Sequence, residues 1–163
     1  NTFNAPPNTG ITVADMFRLT ADINATNADI TSNLERCDDA SYAKIGTGMS
    51  VSSGIFTFPS TGFWLITWFC TFNVNASTDY VKLRIRTTTS NQSAGDYNAP
   101  SFIYQGIDSG DTAHASGTLN YLFDVTNTST HKIAFGSAEV QTGTLTMLGG
   151  AGTKATFVRL GDT

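Results

Sequence analysis

The chain has 163 residues, of which 40% are hydrophobic and 11% aromatic, and this size allows one domain with a sizeable core. Its net charge of −4 argues against a nucleic-acid-binding module, which would usually be basic. Charged residues make up only 13%, about half the usual fraction. Thr, Ser, Asn and Gly, which suit strands and turns, take their place. No apolar run is long enough and free enough of breakers to span a bilayer, so we expect no membrane insertion.

The N-terminal segment, residues 1–10, contains Pro6, Pro7 and Gly10 among several Asn residues. This composition predicts an extended arm or linker, followed by one folded domain over residues 11–163.

Residues 12–23 admit two interpretations. Thr12 and Asp15 could cap a helix, whereas alternation places Phe17 and Leu19 on one face of a strand. Local signals favour the helix slightly, but the resemblance described below favours a first strand, and we predict the strand. We predict a polar loop at residues 24–33, a short strand at 33–37 and a turn-rich stretch at 38–50.

Residues 51–74 form the longest apolar and aromatic run, which Gly54, Pro59 and Gly62 divide into extended pieces. After the turn, one face of a period-2 strand is wholly apolar and should lie in the core. That face consists of Trp64, Ile66, Trp68, Cys70, Phe72 and Val74. The other face is half apolar, because it carries Phe63, Leu65 and Phe69. We therefore expect either a loop of the same chain or another subunit to cover it.

Residues 80–88 alternate cleanly, so a half-buried antiparallel strand is predicted with Lys82, Arg84 and Arg86 on its outer face. A long polar loop over residues 89–100 should follow. Residues 101–107 are predicted to be a strand with Phe102 and Tyr104 on one face, and residues 108–117 a loop. Four further strands are predicted at residues 119–125, around Ile133 and Phe135, at 145–147 and at 154–160.

Many short strands separated by turns, with no confident helix, indicate an antiparallel sandwich or barrel. No repeat of 20–50 residues occurs, which argues against a propeller or solenoid. Periodicity alone leaves an immunoglobulin-like sandwich open.

One motif carries a family resemblance, Gly-x-Phe-x-x-Pro-x-x-Gly followed by an aromatic-rich strand. The chain resembles the head domain of complement component 1q and its tumour-necrosis-factor-like relatives at Gly54, Phe56, Pro59, Gly62, Phe63 and Trp64. It is also similar to virion surface proteins of marine bacteriophages, especially cyanophages, that carry this domain. The segments behind that similarity are ADMFRLTADI, ITSNLERCD, IGTGMSVSSGIFTFPSTGFW, YLFDVTNTSTHK and FVRLGDT.

The resemblance implies an all-β, antiparallel two-sheet jelly roll of about ten strands that assembles as a homotrimer through Phe63, Leu65 and Phe69. It also implies a non-enzymatic structural protein on the virion surface, either a tail fibre or spike head for host attachment or a capsid decoration. The N-terminal arm would contact other virion proteins. The alternatives are a secreted complement or tumour-necrosis-type ligand-binding module and, third, a glycan hydrolase.

Patterns that would indicate catalysis are missing. No Gly-x-Ser-x-Gly elbow accompanies the two histidines, and the only glutamates for a glycosidase pair are Glu35 and Glu139. We predict no catalytic residue and no cofactor. Asp108, Asp111 and His114 are candidate metal ligands because they are spaced by three in one predicted loop, although any exposed loop has a similar composition.

Five residues are candidates for receptor or ligand binding. Lys82, Arg84 and Arg86 could bind phosphate or carboxylate groups of a host glycan, or could simply be the solvated side of a strand. Tyr97 and Tyr104 could stack on a sugar, or could pack as ordinary loop residues. The two cysteines, Cys37 and Cys70, do not make a disulfide framework, and Cys70 is predicted to be a buried thiol.

Overall fold

A computed structural model describes residues 10–90, 98–107, 113–150 and 152–163, with the side chain of Ala113 left out. Within these ranges the chain forms twelve strands and no helix. The strands are β1 (Ala14–Leu19), β2 (Ile23–Asn24), β3 (Leu34–Arg36), β4 (Ser50–Ser52), β5 (Ile55–Thr57), β6 (Gly62–Val74), β7 (Thr78–Thr88), β8 (Asn98–Ile107), β9 (Ala113–Val125), β10 (Lys132–Val140), β11 (Leu145–Met147) and β12 (Lys154–Gly161). No described helix could cross a membrane.

The strands form two antiparallel sheets that pack face to face. Sheet A has the order β2-β11-β6-β12-β1-β3, and β9 pairs with the other edge of β6. Sheet B has the order β4-β5-β10-β7-β8. Strand β6 pairs with β9 along its whole length and with β12 and then β11 on its other side. This arrangement confirms the predicted all-β jelly-roll sandwich, with two strands more than the ten that were expected.

The run at residues 51–74 organises the core as predicted. The six apolar residues of β6 that face inward are all 0–1% exposed. Aromatic rings on the side of sheet B meet them, because Trp68 lies 5.3 Å from Phe135 of β10, and Trp64 lies 5.2 Å from Phe58, which follows β5, measured between ring centroids. Each such buried side chain contributes about 2 kcal/mol through burial alone.

The turn before β5 requires a glycine. Gly54 has φ +80°, and an added Cβ would lie 1.8 Å from the carbonyl oxygen of Ile30. A side chain there would be strained and would also collide with backbone. Glycine at this position therefore permits the β4–β5 hairpin to pack against the segment that ends at Ile30.

The strand interpretation of residues 12–23 is confirmed, and the helix alternative is wrong. Strand β1 pairs with β12 and β3, and it buries Phe17 and Leu19 at 4% and 0% exposure. Tertiary pairing decides the outcome here, because the sheet satisfies the backbone of β1 on both sides.

Two predicted loop boundaries are wrong. The loop predicted at 108–117 ends earlier, because β9 begins at Ala113 and continues the ladder opposite residues 70–74 of β6. The loop predicted at 89–100 also ends early, since β8 begins at Asn98. Strand β8 is an edge strand of sheet B, where the missing N–H of Pro100 is tolerated.

The predicted arm falls largely on residues 1–9, which lie outside the described residues.

Both cysteines are free and buried, as predicted for Cys70. Burial raises the pKa of the Cys70 thiol to about 12. It therefore packs as a small apolar group in the core.

Candidate binding and assembly surfaces

The outer face of sheet A carries a continuous apolar row. Leu65 of β6 pairs with Leu122 of β9 on one side and with Val158 of β12 on the other. Val158 pairs with Ala14 of β1, which in turn bridges to Ile45. Because paired residues point to the same side of a sheet, the row crosses four strands and ends at the segment after β3.

This face is open in the single chain. Phe63, Leu65 and Phe69 are each 38% exposed, and Leu122 is 54% exposed. In the middle of the face the Thr67 hydroxyl donates a hydrogen bond to the side-chain oxygen of Asn120 at 2.7 Å, so these two polar side chains are paired with each other. The predicted assembly residues therefore lie together on one exposed apolar surface, and no described loop of the same chain buries them.

A buried carboxylate supports the rim of this surface. Asp15 is 2% exposed and accepts hydrogen bonds from Arg36 Nε at 2.9 Å, from the Tyr42 hydroxyl at 2.6 Å and from the Met49 backbone N–H at 2.7 Å. Burial alone would raise the pKa of Asp15, but these donors hold it below its ordinary value. Asp15 thereby attaches the segment that contains Ile45 to sheet A.

Sequence reasoning missed this role of Asp15, which it considered only as a helix cap. The signal was present, because Asp15 occupies the same strand face as Phe17 and Leu19. An acid on the apolar face of an alternating strand needs buried donors.

The outer face of sheet B carries Lys82, Arg84 and Arg86 at alternate positions, as predicted. Arg84 Nη2 lies 3.2 Å from Oδ1 of Asp29, and Arg86 forms an ion pair with the other oxygen of the same carboxylate. Gly136 of β10 makes this contact possible, because an added Cβ would lie 2.5 Å from the Asp29 Cα. Two of the three predicted cations are thus bound by an acid of their own chain.

Lys82 differs from the two arginines. Its Nζ lies 4.4 Å from the ring centroid of Phe102 and 5.3 Å from that of Tyr104, on the neighbouring strand β8. These rings are 48% and 53% exposed. No carboxylate of the described residues lies within 4.0 Å of this ammonium. Lys82, Phe102 and Tyr104 together are called the Lys82 patch below.

A third aromatic residue, Tyr80, holds the Lys82 patch in place. The Tyr80 ring meets Tyr104 edge to face at a centroid distance of 4.9 Å, and its hydroxyl donates a hydrogen bond to Glu139 at 2.8 Å. This hydrogen bond and, to a smaller degree, desolvation raise the pKa of Tyr80. Sequence reasoning selected Tyr104 and Lys82 but missed Phe102 and Tyr80, because alternation does not show which strand face is solvent-exposed.

The remaining candidates are only partly visible. Tyr97, Asp108 and Asp111 lie outside the described residues. His114 is in strand β9 opposite Asn73, so its prediction as a loop residue is wrong. Among the residues that are described, no group of three His, Cys, Asp or Glu side chains could hold a metal ion.

The two glutamates are held apart by different partners. Glu35 of sheet A accepts hydrogen bonds from Arg18 at 2.7 Å and 3.0 Å, whereas Glu139 of sheet B accepts one from Tyr80. The two glutamates therefore lie on different sheets and do not form the facing pair that a glycosidase needs.

Comparison with known proteins finds no matching family model and no matching curated protein. Solved structures do match. The TNF protein Eiger of S. frugiperda aligns with a TM-score of 0.67 and 12% identity, over 94% of this chain and 96% of that chain. The globular domain of zebrafish complement 1qA aligns with a TM-score of 0.56 and 10% identity, over 93% and 99%.

A viral structure matches as well. PRD1 vertex protein P5 aligns with a TM-score of 0.52 and 18% identity, over 93% of this chain and 99% of that chain. Identities of this size show a shared fold and nothing finer. The chain therefore has the jelly-roll fold that is seen in the TNF, complement 1qA and P5 structures.

Proposed function

We propose that the chain is a non-enzymatic structural protein of a bacteriophage virion, whose jelly-roll domain forms a homotrimeric head. The head would serve host-surface attachment as a tail fibre or spike, or would decorate the capsid. One observation carries the assembly part of this proposal, the exposed apolar row on the outer face of sheet A. An apolar surface of this kind is typical of a protein contact site.

The chemistry of that face supports self-association. Phe63, Leu65, Phe69 and Leu122 all expose more than a third of their surface, and a partner would remove this area from water. In a cyclic trimer the face would contact a different surface of the next copy, so that the ring closes after three subunits. Rigid sheets would then hold the loops in place, and three copies would raise avidity when single contacts are weak.

The assembly is tested by light scattering of the purified chain and of Leu122→Asp. We expect the parent protein to have three times the 17.3 kDa chain mass, and the variant to have the mass of one chain. Leu122 is 54% exposed, so the variant should still fold. Ser52→Asp places the same charge on an exposed residue of sheet B and should remain trimeric. A folded parent protein that is monomeric at micromolar concentration would overturn the trimer.

The virion role is supported by the similarity to PRD1 vertex protein P5 and requires a test of its own. Particles from the natural source are purified, dissociated into tails and shells, and analysed by mass spectrometry. Association with tails supports attachment, and association with shells supports decoration. Absence from washed particles would refute the virion role.

A secreted ligand-binding module is the second candidate. The higher TM-score of the match to Eiger, 0.67 against 0.52 for P5, favours it. It predicts a chain that is recovered from culture fluid, carries glycan at the exposed Asn75 and is absent from particles.

A further inference from the structure

We propose that the Lys82 patch binds a carboxylated sugar unit of a surface polysaccharide, with its carboxylate on Lys82 and its ring against Phe102 and Tyr104. This inference deepens the proposed function, because it rests on the head being a display surface for host attachment. It assigns that attachment to the outer face of sheet B and names an acidic glycan as the ligand.

The cation at the centre of the patch is available. Nζ of Lys82 lies over two aromatic faces, at 4.4 Å and 5.3 Å, and no described residue accepts a hydrogen bond from it. An ammonium group has three donors, and ring faces attract the charge without satisfying those donors as oxygen acceptors do. A ligand carboxylate could therefore form charge-assisted hydrogen bonds to Lys82 without displacing any acid of the described residues.

The two rings supply the other half of the site. The rings of Phe102 and Tyr104 lie 5.6 Å apart at an interplanar angle of 78°, and each residue is about half exposed. An aromatic face carries partial negative charge, so it attracts the weakly positive C–H bonds on one side of a sugar ring. Rings next to an ammonium thus suit a ligand with a C–H face and a carboxylate.

The patch is also held in one arrangement before a ligand arrives. Tyr80 packs edge to face on Tyr104 and is anchored to Glu139 through its hydroxyl. Since the rings are already positioned, binding would cost less conformational entropy than the ordering of a free loop. Tyr80 and Glu139 are positioning residues in this proposal.

The surrounding charge favours an anion. Among these five charged side chains the three cations Lys82, Arg84 and Arg86 exceed the two acids Asp29 and Glu139 by one charge, on a chain whose net charge is −4. Glu139 lies opposite Lys82 in the ladder between β7 and β10 and accepts the hydrogen bond from Tyr80. Asp29 already binds the guanidinium groups of both arginines, and guanidinium groups are the ones that usually recognise phosphate through two parallel hydrogen bonds. A single half-buried lysine beside two rings, with no ion pair to a described acid, fits a sugar carboxylate better than a phosphate cluster.

Calorimetric titration of the whole chain tests the proposal, with oligosaccharides of galacturonate, alginate and sialic acid as probes. Each acid is compared with its methyl ester, which keeps the ring and removes the charge. We expect at least one acid to bind at least about tenfold more tightly than its ester, and Lys82→Gln to lose that difference. Phe102→Ala and Tyr104→Ala should weaken the acid by about threefold to tenfold.

Control variants separate the site from general charge and from assembly. Lys82→Arg should retain binding, and Lys44→Gln, which removes the same charge from an exposed loop residue, should leave it unchanged. Equal affinity for acid and ester, or no binding of any acid, would overturn the inference. A fall in particle mass for Tyr104→Ala would also overturn it, because the patch would then be a contact between copies.

The outcome is separable from that of the proposed function. A trimer that is found on virions but ignores every acid would refute only the ligand. A chain that binds the acid through Lys82 but is absent from virions would refute only the virion role.

Discussion

The outer faces of the two sheets are built on the same alternating pattern and yet present different chemistry. The outer face of sheet A is an open apolar row centred on Leu65, whereas that of sheet B carries cations and rings around Lys82. The acids of the two sheets also differ in their position. Asp15 is buried beneath the rim of sheet A, and Asp29 lies over sheet B between two arginines. Inward residues of a strand are mostly apolar, or need buried partners as Asp15 does, whereas outward residues are free to specify partners.

Removal of the buried acid should have the largest effect on stability. Asp15→Ala leaves the Arg36 guanidinium, the Tyr42 hydroxyl and the Met49 N–H without their acceptor. We expect the free energy of unfolding to fall by about 3–5 kcal/mol in urea titration. The exposed Asp79→Ala should change it by no more than about 0.5 kcal/mol. Equal effects of the two variants would contradict the role that is given to Asp15.

Acid should destabilise the rim of sheet A through the same residue. Because the pKa of Asp15 is lowered in the folded state, the folded protein binds fewer protons than the unfolded chain. The contribution of Asp15 to the free energy of unfolding is therefore complete above the ordinary aspartate pKa. It is lost as the pH falls through the lowered pKa of the folded state. Unfolding free energies from pH 6 to pH 2 should decline less steeply for Asp15→Asn than for the parent protein. Parallel curves would contradict this account.

A smaller effect is expected on sheet B. Gly136→Ala should push Asp29 away from Arg84 and Arg86, because the new Cβ would lie 2.5 Å from both the Ala28 carbonyl oxygen and the Asp29 Cα. We expect a loss of about 2 kcal/mol in unfolding free energy, measured in urea.

The control and a second measurement sharpen the contrast between the faces. Gly161→Ala, where an added Cβ meets nothing within 4 Å, should change the stability little. If Asp29 neutralises this face, Gly136→Ala should also tighten the binding of acidic oligosaccharides, while the particle mass stays unchanged. Weaker binding of the acid by a folded variant would contradict that role of Asp29.

Several features follow from local pattern alone. Alternation in β6 and β7 identified the core residues, and Pro59 with Gly62 marked the turn before β6. The sites were less accessible from pattern. Lys82, Arg84 and Arg86 look equivalent in the sequence, but Asp29, more than fifty residues away, binds two of them and not the third. The contact depends on the missing side chain of Gly136, which local pattern cannot reveal.

Local pattern establishes antiparallel strands around an aromatic core, in a sandwich or a barrel, because a period of two and glycine or proline breaks act over a few residues. Strand order and register settle the sandwich and the outward residues that remain available. Strand order brings Phe102 and Tyr104 beside Lys82, and register aligns Leu65 with Leu122 and Val158. Pairing partners are distant in the chain, so their side-chain contacts arise only when the strands pair within each sheet.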